Sequence, residues 1–169
     1  MIILGIDPGS RFLGYAALSV ESSGLKPIDF GVLKFNPDIP LAERLQSIGF
    51  GVKQLFEKHR PDHLSLEKLF LGKNADSAFK MGHARGVIIY ESLLAQCKVY
   101  EYATRVVKKG ITGNGGADKE HVRLVVQNML KLGPVKSLDA SDALAMACFH
   151  ASQLRVLNLK RQQKERDLA

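Results

Sequence analysis

Four carboxylates stand where they could act together. Asp7 ends the apolar run Met1–Ile6 and is followed at once by Pro8-Gly9, in "GIDPGS". Glu67 ends a second short apolar segment, His63-Leu64-Ser65-Leu66-Glu67, and Asp139 and Asp142 lie three apart in "LDASDALA". A spacing of three places the last pair on one helical face. Acids at the carboxyl ends of neighbouring strands point into the region where α/β sheets gather ligands. Converging carboxylates repel one another unless cations intervene. Two Mg²⁺ ions would neutralise four such charges through hard oxygen ligands, and Mn²⁺ could substitute. A pair of ions ~3.5–4 Å apart activates a water and stabilises a leaving oxygen in phosphodiester cleavage. Singly, each acid has a plainer reading: a turn carboxylate for Asp7, a surface residue for Glu67, a helix-dipole partner for Asp139.

The basic residues suit the same chemistry. Lys and Arg total 24 against 17 Asp and Glu, a net +7 over 169 residues, which fits a polyanionic partner such as nucleic acid. Lys108 and Lys109 precede the loop Gly113-Asn114-Gly115-Gly116, and Lys119 opens the following helix, where free backbone N–H groups also favour phosphate. The glycine run does not match a nucleotide P-loop. Phe70, three residues past Glu67 in "EKLFLGKN", either stacks on an unpaired base or closes the core beneath its loop. Cys97 and Cys148 sit in apolar surroundings without metal-ligand spacing, as reduced core residues of a cytoplasmic protein do. No membrane span or signal peptide is expected.

To position these residues the chain needs an α/β layer. Strands are expected at Ile2–Ile6, Leu13–Val20 and Pro27–Phe35, with Ser22-Ser23-Gly24 as a turn, giving an antiparallel meander. The stripe Leu41, Leu45, Ile48, Val52 and Leu55 predicts a helix to Lys58. Then come a strand at His63–Glu67, a helix over 75–95 and a strand at Lys98–Tyr102. Two further helices follow, one capped by Asp118 and running to about Leu132, the other capped by Ser137. The result is a mixed five-stranded sheet flanked by helices, one domain over 1–155, with a charged tail at 156–169 that frays.

Taken together, "ILGIDPGSRFLGYA", "SLEKLFLGKNADSAFKMGHARGV", "YEYATRVVKKGITGNGGADKEHV" and "LDASDALAMA" closely resemble the RuvC family of bacterial Holliday-junction resolvases over residues 1–150. The resemblance implies a ribonuclease-H-like fold and a homodimeric, Mg²⁺-dependent endonuclease. Such an enzyme nicks two symmetry-related strands of a four-way DNA junction in recombination and repair, beside the RuvA–RuvB branch-migration machinery. It places Asp7, Glu67, Asp139 and Asp142 on the acidic active-site positions and Lys119 on a catalytic lysine. Lys108 falls on a basic residue near DNA, Phe70 on an aromatic at the junction, and Lys73 on a basic position of the same loop. The chain departs from the pattern at Lys68, where glutamine is usual, and some relatives carry histidine at the position of Asp139. Ala78, Gly82 and Gly86 form a smooth helix face that suits either its own sheet or a dimer contact, and family usage favours the contact. Three other readings stay open: a YqgF-like nuclease acting on rRNA precursors, an actin-like or sugar-kinase ATPase, and a non-catalytic DNA-binding module.

Overall fold

Strand β1 (Ile2–Asp7) is buried on both faces, which is why it reads as an unbroken apolar run. Ile3 packs into one core and Leu4 and Ile6 into the other, so Ile3, Gly5 and Asp7 share a face. The computed structural model describes residues 1–68 and 75–167, the last ten as backbone alone. β1 pairs antiparallel with β2 (Phe12–Glu21), and β2 with β3 (Gly24–Lys34). On its other side β1 pairs parallel with β4 (His63–Glu67), followed by β5 (Lys98–Tyr102). The five-stranded order is β3-β2-β1-β4-β5. Pro27 is tolerated because β3 is an edge strand.

Helices α1 (Leu41–His59) and α2 (Ala75–Leu94) cover one face. Ile48, Val52, Leu55 and Phe56 of α1, with Ala84 and Ile88 of α2, bury against Leu4, Ile6, Leu64 and Leu66. Helices α3 (Thr104–Thr112), α4 (Lys119–Met129) and α5 (Leu138–Asp167) cover the other. α5 lies unusually close to the sheet. A Cβ at Gly5 would sit 2.1 Å from the Ala143 carbonyl, and one at Gly14 would sit 2.0 Å from that of Asp139. Glycine inside these two strands admits the helix backbone, and Ala140, Ala143 and Ala147 keep the seam thin.

Two expectations change. The segment after Tyr102 folds as α3, whose N-terminus adjoins β5. α4 ends at Met129, and Leu130 caps it. Helix α5 continues past residue 155 to Asp167, through a stretch with no Gly or Pro. Cys97 and Cys148 are buried free thiols, and burial pushes both up to about 12.

Candidate active site

The parallel pairing of β1 with β4 brings Asp7 and Glu67 out at the same end of adjacent strands. On that face the first turns of α5 cross the sheet at Gly14, the register partner of Asp7, which delivers Asp139 and Asp142. Ser137 caps this helix, its hydroxyl accepting from the Ala140 N–H at 3.4 Å. α4 supplies Lys119, just inside a helix whose Asp118 cap accepts from the His121 N–H at 2.7 Å. Asp7, Glu67, Asp142, Lys108 and Lys119 line one cavity of about 100 Å³, with Thr104 beside them. Asp139 faces an adjoining cleft of about 750 Å³ that shares Asp7, Glu67 and Lys119 and adds Arg11, Arg44 and Lys80.

The electrostatics are those of a site short of positive charge. Asp7 is raised from 3.8 to about 8, first by burial and then by the charges of Asp142 and Glu67, with Asp139 adding to them and Lys119 opposing. Asp142 is also raised, by burial foremost, although Lys119 donates to it at 2.6 Å. Burial works against the Lys119 ammonium, but its bond to Asp142 and the charges of Asp142, Asp7 and Asp139 prevail and raise it. One lysine thus serves several carboxylates. Divalent cations meet that deficit, and the all-oxygen donor set suits Mg²⁺ or Mn²⁺. Among the described residues no three acids, histidines or cysteines stand in ready ligating geometry. Asp142 is held by Lys119, and Glu67 accepts a short hydrogen bond from the Thr104 hydroxyl.

The structure therefore brings together Asp7, Glu67, Asp139, Asp142 and Lys119. Lys108 reaches the same cavity, but its ammonium donates to the Ala117 carbonyl at 2.6 Å, bracing the loop before α4. Phe70 and Lys73 lie outside the described residues. Lys68 has an exposed side chain, and its N–H donates to the Tyr102 carbonyl at 2.8 Å. Sequence reading missed Thr104, because α3 itself was missed. It also passed over Gly5 and Gly14, although glycine inside a buried strand signals a close backbone approach.

The sequence profile described as "Crossover junction endodeoxyribonuclease RuvC" matches residues 3–150. The chain belongs to the RuvC family. It is 49% identical over 155 residues to the crossover junction endodeoxyribonuclease RuvC of Bdellovibrio bacteriovorus, covering 92% of each chain. Among solved structures it resembles Thermus thermophilus RuvC, with a TM-score of 0.84, 32% identity, and 92% of this chain and 96% of that one covered. The T. thermophilus RuvC complex with a Holliday junction substrate gives a TM-score of 0.83 at 30% identity, with the same coverage. RuvC membership settles the fold as that of the RuvC resolvases. It also disfavours the ATPase and non-catalytic readings.

Proposed function

We propose that this chain resolves four-way DNA junctions by metal-dependent nicking of two symmetry-related strands, and that Asp7, Glu67, Asp139 and Asp142 hold the metal. The observation that carries the reading is the shared charge deficit: acids from β1, β4 and α5 meet at one sheet end with Lys119 as the ammonium bound among them. Two Mg²⁺ ions, when bound, would supply Lewis-acid activation of water and stabilisation of the leaving oxygen. Thr104 orients Glu67 through its hydroxyl. Lys119, bonded to Asp142, would hold its ammonium beside the scissile phosphate.

A homodimer fits the two symmetric cuts. α2 supports it: Ala78, Gly82 and Gly86 line an open apolar groove of about 620 Å³, flanked by Phe79 at 71% exposure and Tyr90 at 61%. Family membership supports action beside RuvA–RuvB. Among the described residues no helix is long and apolar enough to cross a membrane, and the free buried thiols suit the cytoplasm.

The test is cleavage of a synthetic mobile four-way junction beside matched duplex and structured rRNA precursor, with Mg²⁺ and with EDTA. Paired, Mg²⁺-dependent nicks in the junction alone are expected. Preferential cutting of the rRNA precursor would move the chain to the YqgF-like reading, and robust cleavage in EDTA would remove the metal assignment.

A further inference from the structure

A groove of about 640 Å³ crosses the sheet edge beside the carboxylates. Its floor is set by register: Phe12 pairs with Lys34, Gly14 with Val32, and Ala16 with Phe30. Paired residues share a face, and Gly14 lies under the Asp139 carbonyl. That face is therefore the one carrying α5 and the acids. The wall is the 134–140 segment, including Lys136 and leading into Asp139. Phe12 and Asp139 also line the cleft that holds Asp7 and Glu67, so groove and cleft are continuous.

The lining has the chemistry of a strand path. Phe12 is 52% exposed, a large ring left in solvent between two exposed lysines. Among the described residues neither Lys34 nor Lys136 forms an ion pair, whereas Lys80 and Lys119 are committed to Asp76 and Asp142. Lys34 lies two strands across from Asp7 and two residues beyond its register partner. At about 4.8 Å per strand and 3.3 Å per residue this is ~12 Å. Along a duplex axis that distance is roughly three base-pair steps at 3.4 Å each.

We propose that this groove carries the DNA strand flanking the scissile phosphate, with Lys34 and Lys136 neutralising phosphates and the Phe12 ring against a sugar or base. The proposal rests on the junction-cleaving reading of the neighbouring site. It is tested by salt titrations of junction binding with the full chain. The pair Lys34→Ala with Lys136→Ala should lower the log-affinity versus log-salt slope by about two, near 0.9 per phosphate. The control pair Lys26→Ala with Lys98→Ala lies at the opposite sheet end and should leave the slope unchanged. Phe12→Ala should weaken binding, and Phe12→Tyr should restore it. Trimming the flanking strand to within a nucleotide or two of the scissile phosphate should bring the wild type down to the double variant. An unchanged slope, an equal drop in both pairs, or a gap that survives trimming would overturn the groove assignment. A wild type without junction preference would overturn the parent reading instead. The slope difference between the two pairs would still judge the groove on whichever DNA is bound.

Discussion

Helix α5 spans two polar clusters on one face of the sheet, and they differ in kind. At its start, Asp139 and Asp142 join Asp7 and Glu67, with charges that the chain leaves partly unbalanced. Further along, fully buried His150 meets His63 of β4, its Nε2 2.9 Å from the His63 Nδ1, while the Tyr102 hydroxyl lies 2.7 Å from its Nδ1. Burial lowers His150 to about 4 and also lowers His63, so both rings are neutral at pH 7. Two proton orders close this chain: Tyr102 donates to His150 and His150 to His63, or His63 donates to His150 and His150 to Tyr102. β4 and α5 thus serve both: with β5 they build a closed hydrogen-bond chain, and with β1 an open charge deficit. Buried polarity alone does not mark a site. Unbalanced charge does.

The sharpest way to break this comparison is to neutralise one acid. Asp7→Asn or Asp142→Asn should reduce junction cleavage by roughly 10²–10³-fold or more, the scale for losing one preorganised electrostatic group. Junction affinity should hold or rise slightly, since a repulsive charge has gone. Cleavage assays beside binding assays check this, and variants cutting at the wild-type rate would end the metal assignment. At the other end the effect should invert. His150→Leu should cost roughly 1–3 kcal/mol for each group left unpartnered, His63 and Tyr102. Urea unfolding would read that loss, while cleavage per folded molecule should stay unchanged.

Thr104→Val probes the link between the two ends, since Thr104 follows β5 and bonds to Glu67. A hydrogen bond to a charged group is worth ~1.5–3 kcal/mol. Cleavage should fall at least about tenfold by that measure, with its Mg²⁺ midpoint moved upward. Mg²⁺ binding followed by calorimetry should weaken in parallel. Thr104→Ser should restore both. A loss that Ser does not rescue would make Thr104 a packing residue.

How far the sequence could be read follows the same division. Glu67 and Lys98–Tyr102 were placed to the residue, because short alternating strands bounded by turns carry a local signal. The acids were found because strand ends and an i, i+3 spacing are also local. Helix α3 was hidden because Thr104, Val106, Val107, Ile111 and Thr112 favour extended backbone and Gly110 weakens a helix. That glycine is needed because a Cβ there would sit 2.3 Å from the Phe149 ring. Likewise, Gly5 and Gly14 make sense only once the α5 backbone lies on them. Contacts supplied by a distant element leave little trace in a local window, and the His63–His150 pair, 87 residues apart, left none.

The contrast should also appear as a pair of opposite pH slopes in the metal-free protein. Asp7 titrates at 3.8 unfolded and about 8 folded, so between those values the folded state holds the extra proton. Stability from this group is lost as pH rises through that window. His150 titrates at 6.5 unfolded and about 4 folded, so there the unfolded state holds the extra proton. Its contribution is lost as pH falls from about 6.5 to 4. Each full proton is worth about 1.4 kcal/mol per pH unit. The two therefore oppose each other between about pH 4 and 6.5, and Asp7 acts alone from 6.5 to 8. Subtracting the wild-type unfolding curve from that of Asp7→Asn cancels the other titrating groups to first order. The difference should climb steadily from about pH 4 to 8 and then level off. Adding saturating Mg²⁺ to the wild type should erase its fall above pH 6.5, because a cation lets Asp7 ionise without penalty. The corresponding difference for His150→Leu should change only below about 6.5, and with the opposite sign. A flat Asp7→Asn difference would mean that the carboxylate end is as well satisfied as the histidine end, and the contrast between them would be gone.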